Sequence, residues 1–364
     1  MCAKPEEEYA GPTWTDDHLD STAAPEIKAP YFDEKLGAWV LTRYADVLAA
    51  FRSPSLVPAG ARGKQSTNAP SEADRLKMRA ETRVAVSLRH LRKWQKVLAP
   101  EVSALTRSLP DGQPIDLVGE FARPLCLVLA VAVTGADSHD VEHLDKLARH
   151  ISASAAEPYD TKIRSRSKAA NARLQSCFPA GPESLRSSGF VALSQTMPSL
   201  LANAWYGLLQ HPQQWGELHR RPSLAAKAVE ELQRYAGLTR LSFRQVAHDV
   251  ILNGVRLRKG DRVILRIAAA NRDPERFPHP EYVDWLHHGT GHLSLGAGPH
   301  SCVGASLIRM AAVTITRPLI ERFASAEIAG PVEWRGGPIF RSPASLPVRL
   351  YEGVPAPGSS LHPY

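Results

Sequence analysis

Cysteine is scarce in this 364-residue chain: Cys2, Cys126, Cys177 and Cys302 lie far apart, with no CxxC pairing. That excludes a disulfide framework and a zinc cluster. Cys126, inside FARPLCLVLAVAVTG, reads as a small core residue. The N-terminal MCAKPEEEYAGPTWTDDHLD is polar and acidic and has no signal peptide. No run reaches the roughly 18 apolar residues that a spanning helix needs. The expectation is a cytoplasmic protein with no membrane partner. Internal repeats are absent, and the glycine and proline content gives no ground for wholesale disorder. A block of one charge sign is also missing. Lys plus Arg number 44 against 37 acids, a net charge of +7, but the excess is spread along the chain. Its densest groups, RHLRK at 89–93 and KIRSRSK at 162–168, each read as a solvated helix face or a docking patch. No nucleic-acid motif accompanies them.

What is present is mostly helical patterning. Residues 1–28 form a polar tail, and 29–364 read as one domain. GAWVLTRY (37–44) is a strand, ADVLAAFRS a helix, and 57–82 a polar loop with a little helix. Helical periodicity returns over 88–109, 116–133, 140–155 and 161–176, and PAGPES (179–184) breaks it. Residues 189–210 are apolar almost all round, so they predict a buried central helix with a kink at Pro198. PSLAAKAVEELQRYAG (222–237) predicts a helix with a serine near its start and Gly237 at its end. SFRQVAHDVILNGVRLRKGDRVILRIAAANRD is strand-rich, with turns at NG and KGD. The tail offers two short strands, PIFR and LPVRLY. The fold class is mainly α with a small β-sheet region.

One cysteine sits in a glycine-rich loop, GAGPHSCVGA (296–305), directly before a long apolar helix. Glycines let the backbone approach something bulky. The helix N-terminus turns free N–H groups toward Cys302, which should lower its pKa. Such a thiolate suits a nucleophile, with His300 as a nearby base, a redox sensor or a metal ligand. With no other cysteine near, a metal would have to arrive with its remaining ligands, as haem iron does. A purely structural glycine turn is the plain alternative.

LGAGPHSCVG resembles the cysteine-loop signature of the cytochrome P450 superfamily, F-G-x-G-x-H-x-C-x-G, with Leu295 in place of the phenylalanine. Three more motifs follow that family's order: Glu231-x-x-Arg234 in EELQRY, Pro274 to Phe277 in NRDPERFPHP, and Arg244 in FRQVAHDV. PIFRSPASLPVRL is similar to the family's C-terminal hairpin, so the likeness spans about residues 30–351. The resemblance implies the cytochrome P450 fold, haem b, and Cys302 as axial thiolate, framed by Gly296 and Gly304. It implies His300 and Arg244 as partners of the haem propionates, and Glu231 with Arg234 as a buried structural pair. The family's H-x-x-x-R is not matched in VSLRHLRKWQKVLAPE; counting back from Pro100 places His90 near its arginine, as a cofactor residue or part of a surface basic face.

The central helix departs from the pattern. Where the family has A-G-x-D/E-T, this chain reads Ala192-Leu193-Ser194-Gln195-Thr196. An amide orients water but cannot titrate. So Thr196 with ordered water suffices, or the substrate supplies the acid, or the oxidant is not O₂. The connection before this helix is also short. By analogy Phe190, Leu193, Thr196, Leu238, Thr239, Ile339 and Phe340 line a substrate pocket for a small, largely hydrophobic molecule. The implied activity is a monooxygenase-like oxidoreductase of specialised metabolism, a monomer fed by a ferredoxin or flavodoxin-type donor. The rivals are a peroxygenase, isomerase or dehydratase without reductive O₂ activation, and a non-catalytic docking protein of the same fold.

Overall fold

The computed structural model describes residues 27–58, 72–156, 160–178, 186–286, 291–337 and 339–353. The helices in chain order are α1 Tyr44–Arg52, α2 Glu72–Ala85, α3 Leu88–Ser108, α4 Arg123–Thr134, α5 Val141–Ala156, α6 Thr161–Ser176, α7 Ser187–Val191, α8 Met197–Leu209, α9 Pro212–Arg220, α10 Ala225–Tyr235, α11 Ile267–Ala270 and α12 Ala305–Arg322. Together they bear out a mainly helical chain. The expected polar tail and the PAGPES breaker lie almost wholly outside the described residues; Lys28, at the tail's end, already exchanges two 2.9 Å hydrogen bonds with Thr42.

The apolar segment 187–209 forms the spine. It is not one regular helix: a wider π-type turn, Ala192–Thr196, separates α7 from α8, and Met197 N–H reaches back to the Ala192 carbonyl. The kink expected at Pro198 therefore appears one turn earlier. Proline has no N–H to give, and the register widens just ahead of it. Twelve of the thirteen α8 residues are buried, as an apolar circumference requires.

A second apolar rod begins with a π-type turn, Leu117–Ala122, whose Val118 N–H is capped by Asp116, and continues as α4 to the left-handed Gly135. This corrects one expectation. Leu117–Thr134 is 18 residues long and apolar enough to cross a membrane by length and composition alone. Here half of it is buried inside the fold, where Phe121, Leu125 and Leu129 join the main core. That core also takes in α3, α8, α10 and α12.

A five-stranded sheet runs in the order Tyr31–Asp33, Ala38–Leu41, Arg262–Arg266, Leu241–Val246, Leu56–Pro58. Only the pairing of Ala38–Leu41 with Arg262–Arg266 is parallel. A second core beneath it joins Val47 and Phe51 of α1 to Leu265 and Leu293. The NG turn forms as expected, Asn253 and Gly254 both having positive φ between two short strands. Pro114–Asp116 and Ser325–Ile328 flank Pro347–Tyr351 in another sheet, and Glu333–Gly336 pairs with Arg341–Ser345.

Three local expectations are overturned. The stretch read as loop with little helix carries a strand at Leu56–Pro58 and the fourteen-residue α2. Its helix formers carry too few apolar residues to show a periodic stripe. No serine side chain caps the 222–237 helix; a 3₁₀ turn, Pro222–Leu224, leads into α10. The strand expected at PIFR starts at Arg341, and only Phe340 forms an isolated bridge before it, to Thr239.

Candidate functional site

The loop before α12 is shaped by two left-handed glycines. Gly296 has φ +68° and Gly298 φ +66°; a Cβ on Gly298 would sit 2.8 Å from the Phe51 carbonyl oxygen. Cys302 N–H donates to the Leu295 carbonyl at 2.7 Å and closes the loop. His300 ends a 3₁₀ turn, Gly298–His300, and is half-buried. Gly304 caps α12; a Cβ there would lie 3.9 Å from Cys302 Sγ.

The thiol itself departs from expectation. Burial raises the Cys302 pKa, and the Gly304 amide, Arg79 and Arg309 oppose that without reversing it. Helix polarity alone therefore does not yield a free thiolate; desolvation outweighs it. A metal cation bonded to the sulfur would supply the missing charge. Arg79 on α2, whose Nη2 donates to the Ser301 carbonyl at 2.5 Å, was not legible in the sequence, since 222 residues separate the pair.

Arg244 is 6% exposed. Its Nη1 donates to Ser242 Oγ and the Phe243 carbonyl, and its guanidinium lies 5.1 Å above the Phe51 ring. Its Nε has no partner, no carboxylate pairs with it among the described residues, and burial depresses its pKa. Phe51 joins this arginine to the loop, for its ring also lies beside Gly296. A buried guanidinium without an anion is costly. One thiol in a glycine-lined loop beside such a cation fits a haem, whose propionates supply the carboxylates.

Behind the loop, Arg234 forks onto Glu231 at 2.8 and 2.7 Å and donates to the carbonyls of Asn271, Pro280 and Tyr282. Glu231 in turn accepts the Asp284 N–H at 2.9 Å. Both side chains are 1% exposed, and the expected buried pair is thus tied to the chain that follows it. Next to it, Glu230 accepts from Arg309 of α12 at 2.6 and 3.0 Å and lies 3.4 Å from buried His292. Burial would raise the Glu230 pKa, but His292 and Arg309 together bring it down to about 2.

Across the central helix, Thr196 ends the widened turn, half-buried, and Gln195 is buried. Gln195 Nε2 donates to Asp145 Oδ1 of α5 at 2.6 Å and to Ser194 Oγ at 3.2 Å. Asp145 also holds Arg123 at 2.8 Å and Arg149 at 2.5 Å. Arg335, whose pKa burial depresses, faces the same group and donates to Ser199 Oγ at 3.1 Å. So a carboxylate does stand beside the central helix, but on another helix fifty residues earlier.

The expected pocket residues are only partly gathered. Thr239 and Phe340 pair in a bridge, and Arg240 N–H donates to the Ile339 carbonyl at 2.9 Å. Leu238 and Leu193 are buried, and Phe190 is fully enclosed against Phe178. His90 is exposed in the first turn of α3, bonded to Ser87 Oγ at 3.0 Å and tilted over Trp94. The basic groups nearby, Arg89, Arg92, Lys93 and Lys96, share an exposed patch, and α3 packs on α12. The 162–168 group is an exposed face of α6.

The family model for cytochrome P450 matches residues 210–330. The chain is 39% identical over 160 residues to the biotin biosynthesis cytochrome P450 of Bacillus subtilis (strain 168), covering 43% of this chain and only 40% of that protein's length. It is 28% identical over 370 residues to mycinamicin IV hydroxylase/epoxidase of Micromonospora griseorubida, covering 88% and 91%. Its fold matches the structure of P450BioI in complex with a hexadec-9Z-enoic acid ligated acyl carrier protein, at TM-score 0.77, 24% identity, and coverage of 92% and 96%. With its cysteine loop, its Glu231–Arg234 pair and this fold, the chain belongs to the cytochrome P450 superfamily.

Proposed function

We propose that the chain is a haem-thiolate oxidoreductase of the monooxygenase type, holding haem b through Cys302 and oxidising a small, largely hydrophobic organic molecule in specialised metabolism. The observation that carries this reading is Arg244, a buried guanidinium with an unpartnered Nε, one aromatic ring away from the Cys302 loop. A porphyrin brings both the metal that a lone thiolate needs and the carboxylates that this arginine lacks. When bound, it supplies one-electron and O₂ chemistry.

The remaining work belongs to the chain. Gly304 N–H bonds the Cys302 sulfur and tempers its charge. Arg244 and His300 neutralise the propionates. Thr196 Oγ1 orients water beside the reacting group. Gln195 cannot titrate; its Nε2–H fixes Asp145 and so keeps a carboxylate beside the central helix, within the proposed proton path. Leu193, Leu238, Thr239, Ile339 and Phe340 exclude bulk water on the substrate side, with Phe190 packed behind them. An acidic ferredoxin or flavodoxin-type donor docks on Arg89, Arg92, Lys93 and Lys96, next to the helix that begins at Cys302. The protein acts as a cytoplasmic monomer. The relative named as a hydroxylase/epoxidase of mycinamicin IV supports an organic substrate of natural-product type.

The test is optical. Purified protein should take up haem, and its reduced carbon monoxide complex should absorb near the ~450 nm expected of thiolate ligation. Cys302→Ser should abolish that band in a folded protein; an unchanged band would overturn the assignment. A second reading, a peroxygenase, isomerase or dehydratase, is favoured by one fact: Gln195 stands where a titratable acid is expected. Turnover with NAD(P)H and redox partners, with peroxide, and with neither separates the two. Turnover that falls as salt rises supports the docking patch, and salt-independent turnover removes it.

A further inference from the structure

A cleft of about 550 Å³ opens beside the C-terminal half of α8, and neither Cys302 nor Thr196 lines it. Its walls come from the C-terminal half of α8, the end of α10, the chain from Arg266 to Arg272, and the Trp334–Arg341 hairpin. What sets it apart is charge. Arg240, Arg266, Arg272 and Arg341 all line it, each half-buried, and no Asp or Glu is among its described lining residues. The fifth arginine, Arg234, is already committed to Glu231.

Two of these arginines lie against aromatic rings. The Arg272 guanidinium lies 4.7 Å above the Tyr235 ring and donates to the Tyr235 carbonyl at 3.3 Å. Arg341 lies 5.0 Å above Trp334, which itself meets Tyr206 edge-on at 5.0 Å. The Arg266 guanidinium has no hydrogen-bond or ion-pair partner among the described residues. The ring and carbonyl of Tyr235 orient Arg272 but do not cancel its charge. The strain registers on the neighbours: burial, then Arg266 and Arg272, depress the Arg240 pKa, while burial and Arg272 depress that of His211. Like charges gathered around a concave, partly dehydrated surface focus a positive field and are relieved by an anion. Guanidinium groups held on aromatic faces present fixed forks suited to phosphate oxygens.

We propose that this cleft binds an organic diphosphate of nucleotide size, with adjacent phosphates between Arg266 and Arg272 and a planar group against Trp334 and Tyr206. The volume lies within the usual range for small-molecule sites, roughly 300–1,000 Å³. More than one negative charge is called for because Arg266 and Arg272 both lack a carboxylate partner among the described residues. Thr239 lines this cleft and also the proposed substrate side, so the two adjoin; anion binding at Arg266 and Arg272 does not depend on the oxidation chemistry.

Calorimetric titration of the haem-loaded protein at constant ionic strength tests this, with inorganic pyrophosphate as the charge probe, adenosine diphosphate as the charge-plus-ring probe, and sulfate as the control. Pyrophosphate should bind at least tenfold more tightly than sulfate, and adenosine diphosphate more tightly still. Arg266→Gln and Arg272→Gln should each weaken both ligands about tenfold, one charge-assisted contact apiece. Trp334→Ala should remove only the extra affinity of adenosine diphosphate. An Arg89→Gln/Arg92→Gln variant on α3 should leave the titrations unchanged. Pyrophosphate binding no tighter than sulfate, affinity indifferent to Arg266 and Arg272, or loss of binding in the α3 variant would each overturn the site. Equal affinity for the two phosphates would overturn the role of the rings.

Discussion

The two sides of the central helix are built differently. On the cysteine side, buried and half-buried charged groups around the loop are held by short contacts: Glu231 with Arg234, Glu230 with Arg309, and Arg79 with the Ser301 carbonyl. Arg244 is the exception, and it points to a group that arrives from outside. On the opposite side, one carboxylate, Asp145, faces three guanidiniums and a neutral amide. The first arrangement holds backbone in place. The second gathers excess positive charge around one carboxylate and ties it to the central helix through Gln195, on the side where the proton path of the oxidation is proposed.

If that contrast is right, damage on the cysteine side should fall on stability. The largest effect belongs to Arg234→Ala. It removes five hydrogen bonds to Glu231 and three carbonyls, and strands a carboxylate that is 1% exposed. Breaking one partner of a buried pair costs about 3–5 kcal/mol. Chemical denaturation should show that loss, and a loss under 1 kcal/mol would mean the pair is a passenger. Gly298→Ala follows. Its φ of +66° and the 2.8 Å approach to the Phe51 carbonyl leave a methyl group no room. A cost of about 2–3 kcal/mol is expected from left-handed strain plus local displacement, together with weaker haem retention.

The cysteine side was also the readable side, for a physical reason. Gly296, Gly298, Cys302 and Gly304 are close neighbours in the chain, and Glu231 and Arg234 share one helical turn. Chemistry made by adjacent residues leaves a local pattern. The helices over 88–109, 140–155 and 161–176 were legible through their periodicity, whereas α2, rich in charge, offered no apolar stripe. Asp145 was invisible. It reads as one acid on an amphipathic helix, and only the packing of α5 against the central helix brings it to Gln195. The helix-polarity argument for Cys302 failed for a similar reason, because burial is a property of the whole fold and outweighed a local dipole.

Glu230 probes the cysteine side more gently. Its carboxyl, normally near 4.5, is lowered to about 2 in the fold. A depressed carboxylate pKa adds stability that is fully present above the unfolded value and is lost as pH falls through the folded one. The advantage of wild type over Glu230→Gln should therefore be constant above about 4.5 and close between there and about 2. Allowing for solvent screening, the plateau should be about 1–2 kcal/mol. Parallel stability curves for the two proteins over that window would show that Arg309 and His292 do not act through this carboxylate.

The smallest stability effect, and the sharpest test of the other side, is Gln195→Glu. It replaces an amide 2.6 Å from Asp145 with a second acid. Two ionised carboxylates at that distance repel each other. Arg123, Arg149 and Arg335 surround the pair, so the added negative charge meets an existing excess of positive charge. Repulsion from Asp145 and attraction to the guanidiniums oppose each other, and the net change at neutral pH should stay within about 1 kcal/mol. The chemistry should respond more than the fold. A proton-holding acid now stands on the central helix, next to Thr196, and the fraction of electrons ending in oxidised product rather than peroxide should rise. An Asp145→Asn variant should lower that fraction in wild type and change it far less in the Gln195→Glu background. Equal losses in both backgrounds would show that Asp145 merely braces its arginines, and the contrast between a holding side and a proton-moving side would disappear.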